Sequence, residues 1–121
     1  MTLKVELSVG DFLDRLSILQ IKLSNGLDVS KEINQYQEQF TELDSFSAKH
    51  WLEILAAVNK ALWDLEEEKR KQVNLEVGHY VVIAELITIL NDLRAVTKMR
   101  IDKFYKSSII EQKSHNFGSN S

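Results

Sequence analysis

The chain has 121 residues, a formal net charge of −3, 44% apolar and 27% charged residues, and neither Cys nor Pro. This composition fits one soluble globular domain that buries roughly two thirds of its unfolded surface. It excludes disulfides and thiolate metal sites, and the acidic balance argues against a dedicated nucleic-acid binder. The start, MTLKVELSVG, carries Glu6 and lacks the long apolar core of a signal peptide, and no window reaches the ~20 apolar residues of a membrane span. A cytoplasmic protein with no membrane contact is expected.

The absence of Pro permits long uninterrupted helices. Ser8 opens helix 1 with a capping-box-like SVGD, and Val9, Phe12, Leu13, Leu16, Leu19 and Leu23 recur at helical spacing. Gly26 is the natural stop. Helix 2, within SKEINQYQEQFTELDSF, has Ser30 as its expected N-cap and a thin stripe of Ile33, Tyr36, Phe40 and Leu43, which suits a helix on the outside of a bundle. Helix 3 is expected over about Ala48–Gln72, with Leu55, Val58, Leu62 and Leu65 as its seam. A turn follows at about Val73–Gly78. Helix 4 is then expected from His79 to Lys106, with Val82, Ile83, Leu86, Leu90, Leu93, Ile101 and Phe104 as its core face. Residues 108–121 are mostly polar and read as a C-terminal tail to a single helical domain over 1–107.

The fold class is therefore all-α, a bundle of about four helices with a long antiparallel hairpin formed by helices 3 and 4. Each arm of that hairpin would reach roughly 35–40 Å, more than helices 1 and 2 can cover. Apolar surface left over in this way is commonly buried by a second copy, so a homodimer is expected.

Polar stripes flank the apolar seams. Asp11, Arg15, Ile18 and Lys22 share one side of helix 1; Asn59, Trp63, Glu66 and Arg70 share one side of helix 3; Asn91, Arg94 and Lys98 share one side of helix 4. One account is ordinary surface ion pairing, worth only ~0.3–0.5 kcal/mol per pair. The sharper account is a groove in which Arg15, Lys22, Arg70, Arg94 and Lys98 converge with Asn59, Asn91 and Trp63 on an anion. Arginine supplies a planar donor fork for carboxylate or phosphate, and the indole supplies a stacking wall.

Other chemistry finds less footing. Asp64, Glu66, Glu67, Glu68, Glu85 and Asp92 could hold magnesium in a hydrolase of nucleotides or sugar phosphates, but Glu85 and Asp92 stand seven apart where the all-α pyrophosphohydrolases use Glu-x-x-Asp. Glu76 and His79 make one Glu-x-x-His, where di-iron bundles need two. No serine has a persuasive base, no glycine loop cradles phosphate, and the basic residues of RAVTKMRIDKFYK scatter around their helix. No catalytic residue, metal ligand or cofactor is assigned.

Three stretches carry a family resemblance: SVGDFLDRLSILQIK, with Gly10, Asp14, Arg15, Ile18, Leu19, Ile21 and Lys22; VNKALWDLEEEKR, with Asn59, Leu62, Trp63, Glu66, Glu67 and Arg70; and NDLRAVTKMRID, with Asn91, Asp92, Arg94, Ala95, Lys98 and Ile101. Together with EQKSH near the end, they resemble an uncharacterised family of small helical proteins from bacteria and tailed phages. Its bacterial members often lie near cell-surface polysaccharide genes. Gln20 and Met99 depart from the charged residues usual in that family. The resemblance implies no activity. It does imply that the polar positions recur together, and it adds Asp14 to the ligand-binding set of Arg15, Lys22, Asn59, Trp63, Glu66, Arg70, Asn91, Arg94 and Lys98. The expected role is a non-enzymatic binding or interaction module for an anionic small molecule or an acidic segment of a protein partner, with a purely structural helical protein as a further alternative.

Overall fold

The computed structural model describes residues 1, 3, 6–71 and 76–119, with side chains up to residue 106. Among the described residues the fold is an all-α bundle of four helices: α1 (Val9–Ser24), α2 (Ser30–Phe40), α3 (Ser45–Lys71) and α4 (Val77–Ser119). Among the described residues no helix is long and apolar enough to cross a membrane.

Local signals fix three helix ends. Ser8 caps α1, its hydroxyl accepting the Asp11 N–H at 3.1 Å. Beyond α1, Gly26 adopts φ +81°, a conformation that a side chain would strain. Asp44 caps α3 by accepting the Ser47 N–H at 3.0 Å and, through its carbonyl, the Ala48 N–H at 2.9 Å. The expected cap of α2 is corrected. Val29 occupies the N-cap position without a side-chain bond, and the Ser30 hydroxyl instead donates to Asp28. Of the expected turn at 73–78, residues 73–75 lie outside the described residues, and its end is corrected: Val77 and Gly78 already belong to α4, which begins at Val77 and not at His79. The tail expected at 108–121 falls where side chains are not described, although the backbone of α4 continues through Ser119.

Helix α1 is the centre of the bundle because two of its faces are buried. Phe12, Leu16 and Leu19 point toward α2, where Phe12 stacks on Tyr36 at 5.1 Å and Ile33 closes the cluster with Leu16 and Leu19. Gly10, Asp14, Ser17 and Ile21, spaced 4, 3 and 4 apart, are all buried on the neighbouring face, toward α3 and α4. Leu13 packs with Leu55 of α3 and Ile101 of α4, all three with no exposed surface. Pairings that run in opposite senses make α4 antiparallel to α1: Gly10 meets Asp102 and Asp14 meets Arg94. Trp51 beside Phe104 at one end, with Asn59 and Arg94 sharing Asp14 further along, likewise makes α3 and α4 an antiparallel hairpin.

The contact of α1 with α4 is unusually close at Gly10. A Cβ there would lie 2.6 Å from the Lys98 carbonyl oxygen and 2.9 Å from the Asp102 carboxylate, which accepts the Gly10 N–H at 2.7 Å. Only a glycine allows that approach.

The face of α4 turned to the bundle differs from the one periodicity proposed. Ile83, Thr97 and Ile101 are buried and Leu90 is half-buried, but Val82, Leu86, Leu93 and Phe104 are exposed. On helix 1, Leu23 is exposed and Ile21 takes a core position. The reason is geometric. Helix 4 is apolar on two adjacent sides, so its pattern does not say which side meets α1 and α3.

Candidate functional site

The site begins with a carboxylate in the interior. Asp14 is only 3% exposed, on the α1 face that carries Gly10 and Ser17. A buried charge needs a counter-charge and hydrogen bonds. Arg94 of α4 supplies both: its Nε donates to Asp14 Oδ1 at 2.8 Å and its Nη2 to Oδ2 at 2.6 Å. Asn59 of α3 completes the shell, its amide nitrogen donating to Asp14 Oδ1 at 2.9 Å and to Ser17 Oγ at 2.7 Å. The Ser17 hydroxyl in turn donates to the Asp14 carbonyl at 2.7 Å. One carboxylate thus ties three helices together.

Lys98 lies one turn beyond Arg94. Its Nζ is 2.9 Å from Asp11 and 3.9 Å from Asp14. Burial alone would push the Asp14 carboxyl up, but the hydrogen bonds from Arg94 and Asn59 and the charges of Arg94 and Lys98 outweigh it and hold the group below its ordinary value of 3.8. Asp11 is also lowered, chiefly by the Lys98 hydrogen bond and against a smaller effect of burial. Arg94 is raised by its bond to Asp14.

Against this network lies a cavity of about 280 Å³ between α1, α3 and α4. Its walls include Ile18, Asn59, Trp63, Glu66, Arg70, Asn91 and Arg94. A second, of about 230 Å³, opens between α1 and α2 and is lined by Arg15, Ile18, Leu19, Lys22, Glu32 and Tyr36. Ile18 borders both. Of the residues proposed from the sequence, Asn59, Trp63, Glu66, Arg70, Asn91 and Arg94 therefore meet in one concavity, and Arg15 and Lys22 line the adjoining one. Asp14 stands behind Arg94 in the interior, and Lys98 is engaged with the two aspartates.

The set does not converge as a single five-cation site. Arg94 and Lys98 are paired with Asp14 and Asp11, and Arg70 pairs with Glu67 at 2.9 Å. The carboxylates of the metal reading are dispersed. Glu67 faces Arg70, Asp64 faces Lys60 at 2.6 Å, and among the described residues no three His, Asp or Glu side chains are placed to share an ion.

Two residues that matter were not singled out from the sequence. Ser17 and Asp102 each hold a backbone or side-chain group of the three-helix contact. The 4–3–4 spacing of Gly10, Asp14, Ser17 and Ile21 is the signal that could have found Ser17: small and polar residues recur there on a helix whose other face is plainly apolar.

No family model matches the chain, and no curated protein or solved structure matches it either.

Proposed function

We propose that the protein is a non-enzymatic binding module whose Trp63–Arg70–Asn91–Arg94 cavity takes a single anionic group, a carboxylate or a phosphate. The observation that carries this reading is the state of Arg94. Its guanidinium has five N–H donors; two go to Asp14, so three remain on a side chain that is 31% exposed and lines the cavity. Asp14 fixes the plane of the fork, which lowers the ordering cost of gripping a planar or tetrahedral oxyanion. Arg70 and Asn91 stand on the walls, and Trp63 offers a flat apolar side. At about 280 Å³ the cavity falls below the ~300–1,000 Å³ usual for drug-sized ligands, so one charged group with a small attachment fits better than a whole nucleotide.

In this reading the protein works in the cytoplasm of a bacterium or on behalf of a bacterial virus. Support for the source is the likeness of the three polar stretches to the small helical family described above. The anionic group would sit on a small molecule or on an acidic segment of a partner.

The test is a heteronuclear NMR titration with inorganic phosphate and, separately, with a short Glu-rich peptide. The amide and indole signals of Trp63 and Asn91 should move, and Arg70→Ala should weaken the response several-fold while leaving stability unchanged. No movement at millimolar ligand in either titration would refute the anion site and leave the Asp14 network as purely structural.

A further inference from the structure

The exposed side of α4 has a periodicity of its own. Val82, Leu86, Ile89, Leu93 and Val96 are spaced 4, 3, 4 and 3 apart, the repeat of a two-helix seam. They are between 41% and 56% exposed, so none of them is buried against the described residues. The stripe lies about 90° around α4 from the Ile83–Thr97–Ile101 face that meets α1 and α3. An apolar row of this length facing water is uncommon on a monomer.

The charges beside it say what covers it. Residues 77–92 carry Glu85 and Asp92 and no Lys or Arg. Further along, Arg100, Lys103 and Lys106 are all exposed, and the acidic residue among them, Asp102, is bound to Gly10. The stripe therefore runs from an acidic end to a basic end. Two copies laid antiparallel set each acidic end against the other's basic end. Two laid parallel set Asp92 on Asp92 and Arg100 on Arg100.

We infer that the protein pairs with a second copy of itself through an antiparallel contact of the two α4 stripes, with Leu93 and Val96 beside the twofold axis. In that register Leu93 packs on Val96 of the second copy. Glu85 comes alongside Lys106, and Asp92 comes alongside Arg100. The aliphatic stems of Arg100 and Lys103 lie over Ile89 and Leu86, their charges reaching the edge. The contact uses no residue of the cavity described above, so it stands or falls independently of the anion reading.

The chain has no cysteine, so single cysteines report the pairing. Light scattering after size exclusion should give twice the 14.0 kDa chain mass at micromolar concentration. Leu93→Lys should return it to one chain mass with unchanged far-ultraviolet circular dichroism, because Leu93 is not part of the monomer's core. Val96→Cys should be joined into a covalent dimer by a short thiol cross-linker. Val82→Cys should not, since the two copies of residue 82 would stand about 37 Å apart along the axis at ~1.5 Å per residue. A monomeric wild type, a Leu93→Lys variant that stays dimeric, or cross-linking of Val82→Cys as fast as Val96→Cys would each overturn the proposal.

Discussion

Replacing Asp14 with Ala tests the central contact most directly. The carboxylate is 3% exposed and accepts two hydrogen bonds from Arg94 and one from Asn59. Removing one member of a buried ion pair costs about 3–5 kcal/mol, because the remaining charge is left without a partner. Arg94 is 31% exposed, so water relieves part of that penalty and the lower end applies. Asn59 loses an acceptor as well, at about 1 kcal/mol. The sum is about 3–4 kcal/mol, a large share of the ~5–15 kcal/mol that stabilises a typical domain. With ~2.1 cal/mol/K per residue of unfolding entropy, a 121-residue chain should lose about 12–16 °C in Tm. Urea unfolding followed by circular dichroism measures the free-energy loss, and thermal unfolding the Tm, both at one fixed protein concentration. The double variant Asp14→Ala/Arg94→Leu should be less destabilised than Asp14→Ala alone, since it removes the stranded charge. A loss under about 1 kcal/mol for Asp14→Ala, or an additive double variant, would refute the idea that this pair is buried and coupled.

The same carboxylate should make stability depend on pH. Its folded pKa lies below the ordinary 3.8, so its contribution is present above that value and is lost as pH falls through the folded pKa. Urea midpoints measured down the acid range should fall more steeply for the wild type than for Asp14→Asn. Gly10→Ala should destabilise by about 1–3 kcal/mol despite the better helix propensity of Ala, because the new methyl meets the Lys98 carbonyl; a stabilised variant in thermal unfolding would contradict the close approach. Ser8→Ala, which removes the α1 cap, should cost about 0.5–2 kcal/mol in the same assay. Tyr105→Phe should be neutral or stabilising by up to about 1 kcal/mol, because its buried hydroxyl has no hydrogen-bond partner among the described residues.

Much of this protein is written in short-range pattern. The lack of Pro, the 3–4 spacing of apolar residues, the Ser8 cap and Gly26 determine four helices and the start and stop of the first. These are local effects of backbone geometry, and each is decided within a few residues of chain. The polar stripes were also legible, and seven of their members, Ile18 among them, do meet in one cavity. Their sorting was not. Whether Arg94 binds an outside anion or an inside carboxylate depends on where Asp14 lies, and the two are 80 residues apart. Periodicity places both on helix faces but cannot rotate one helix against another. The same limit hid the core side of α4. A helix that is apolar on two adjacent sides satisfies the pattern either way, and packing against α1 and α3 selects Ile83, Thr97 and Ile101 over Leu86 and Leu93. Gly10 belongs to the same packing: α4 comes so near α1 there that a Cβ would lie 2.6 Å from the Lys98 carbonyl oxygen.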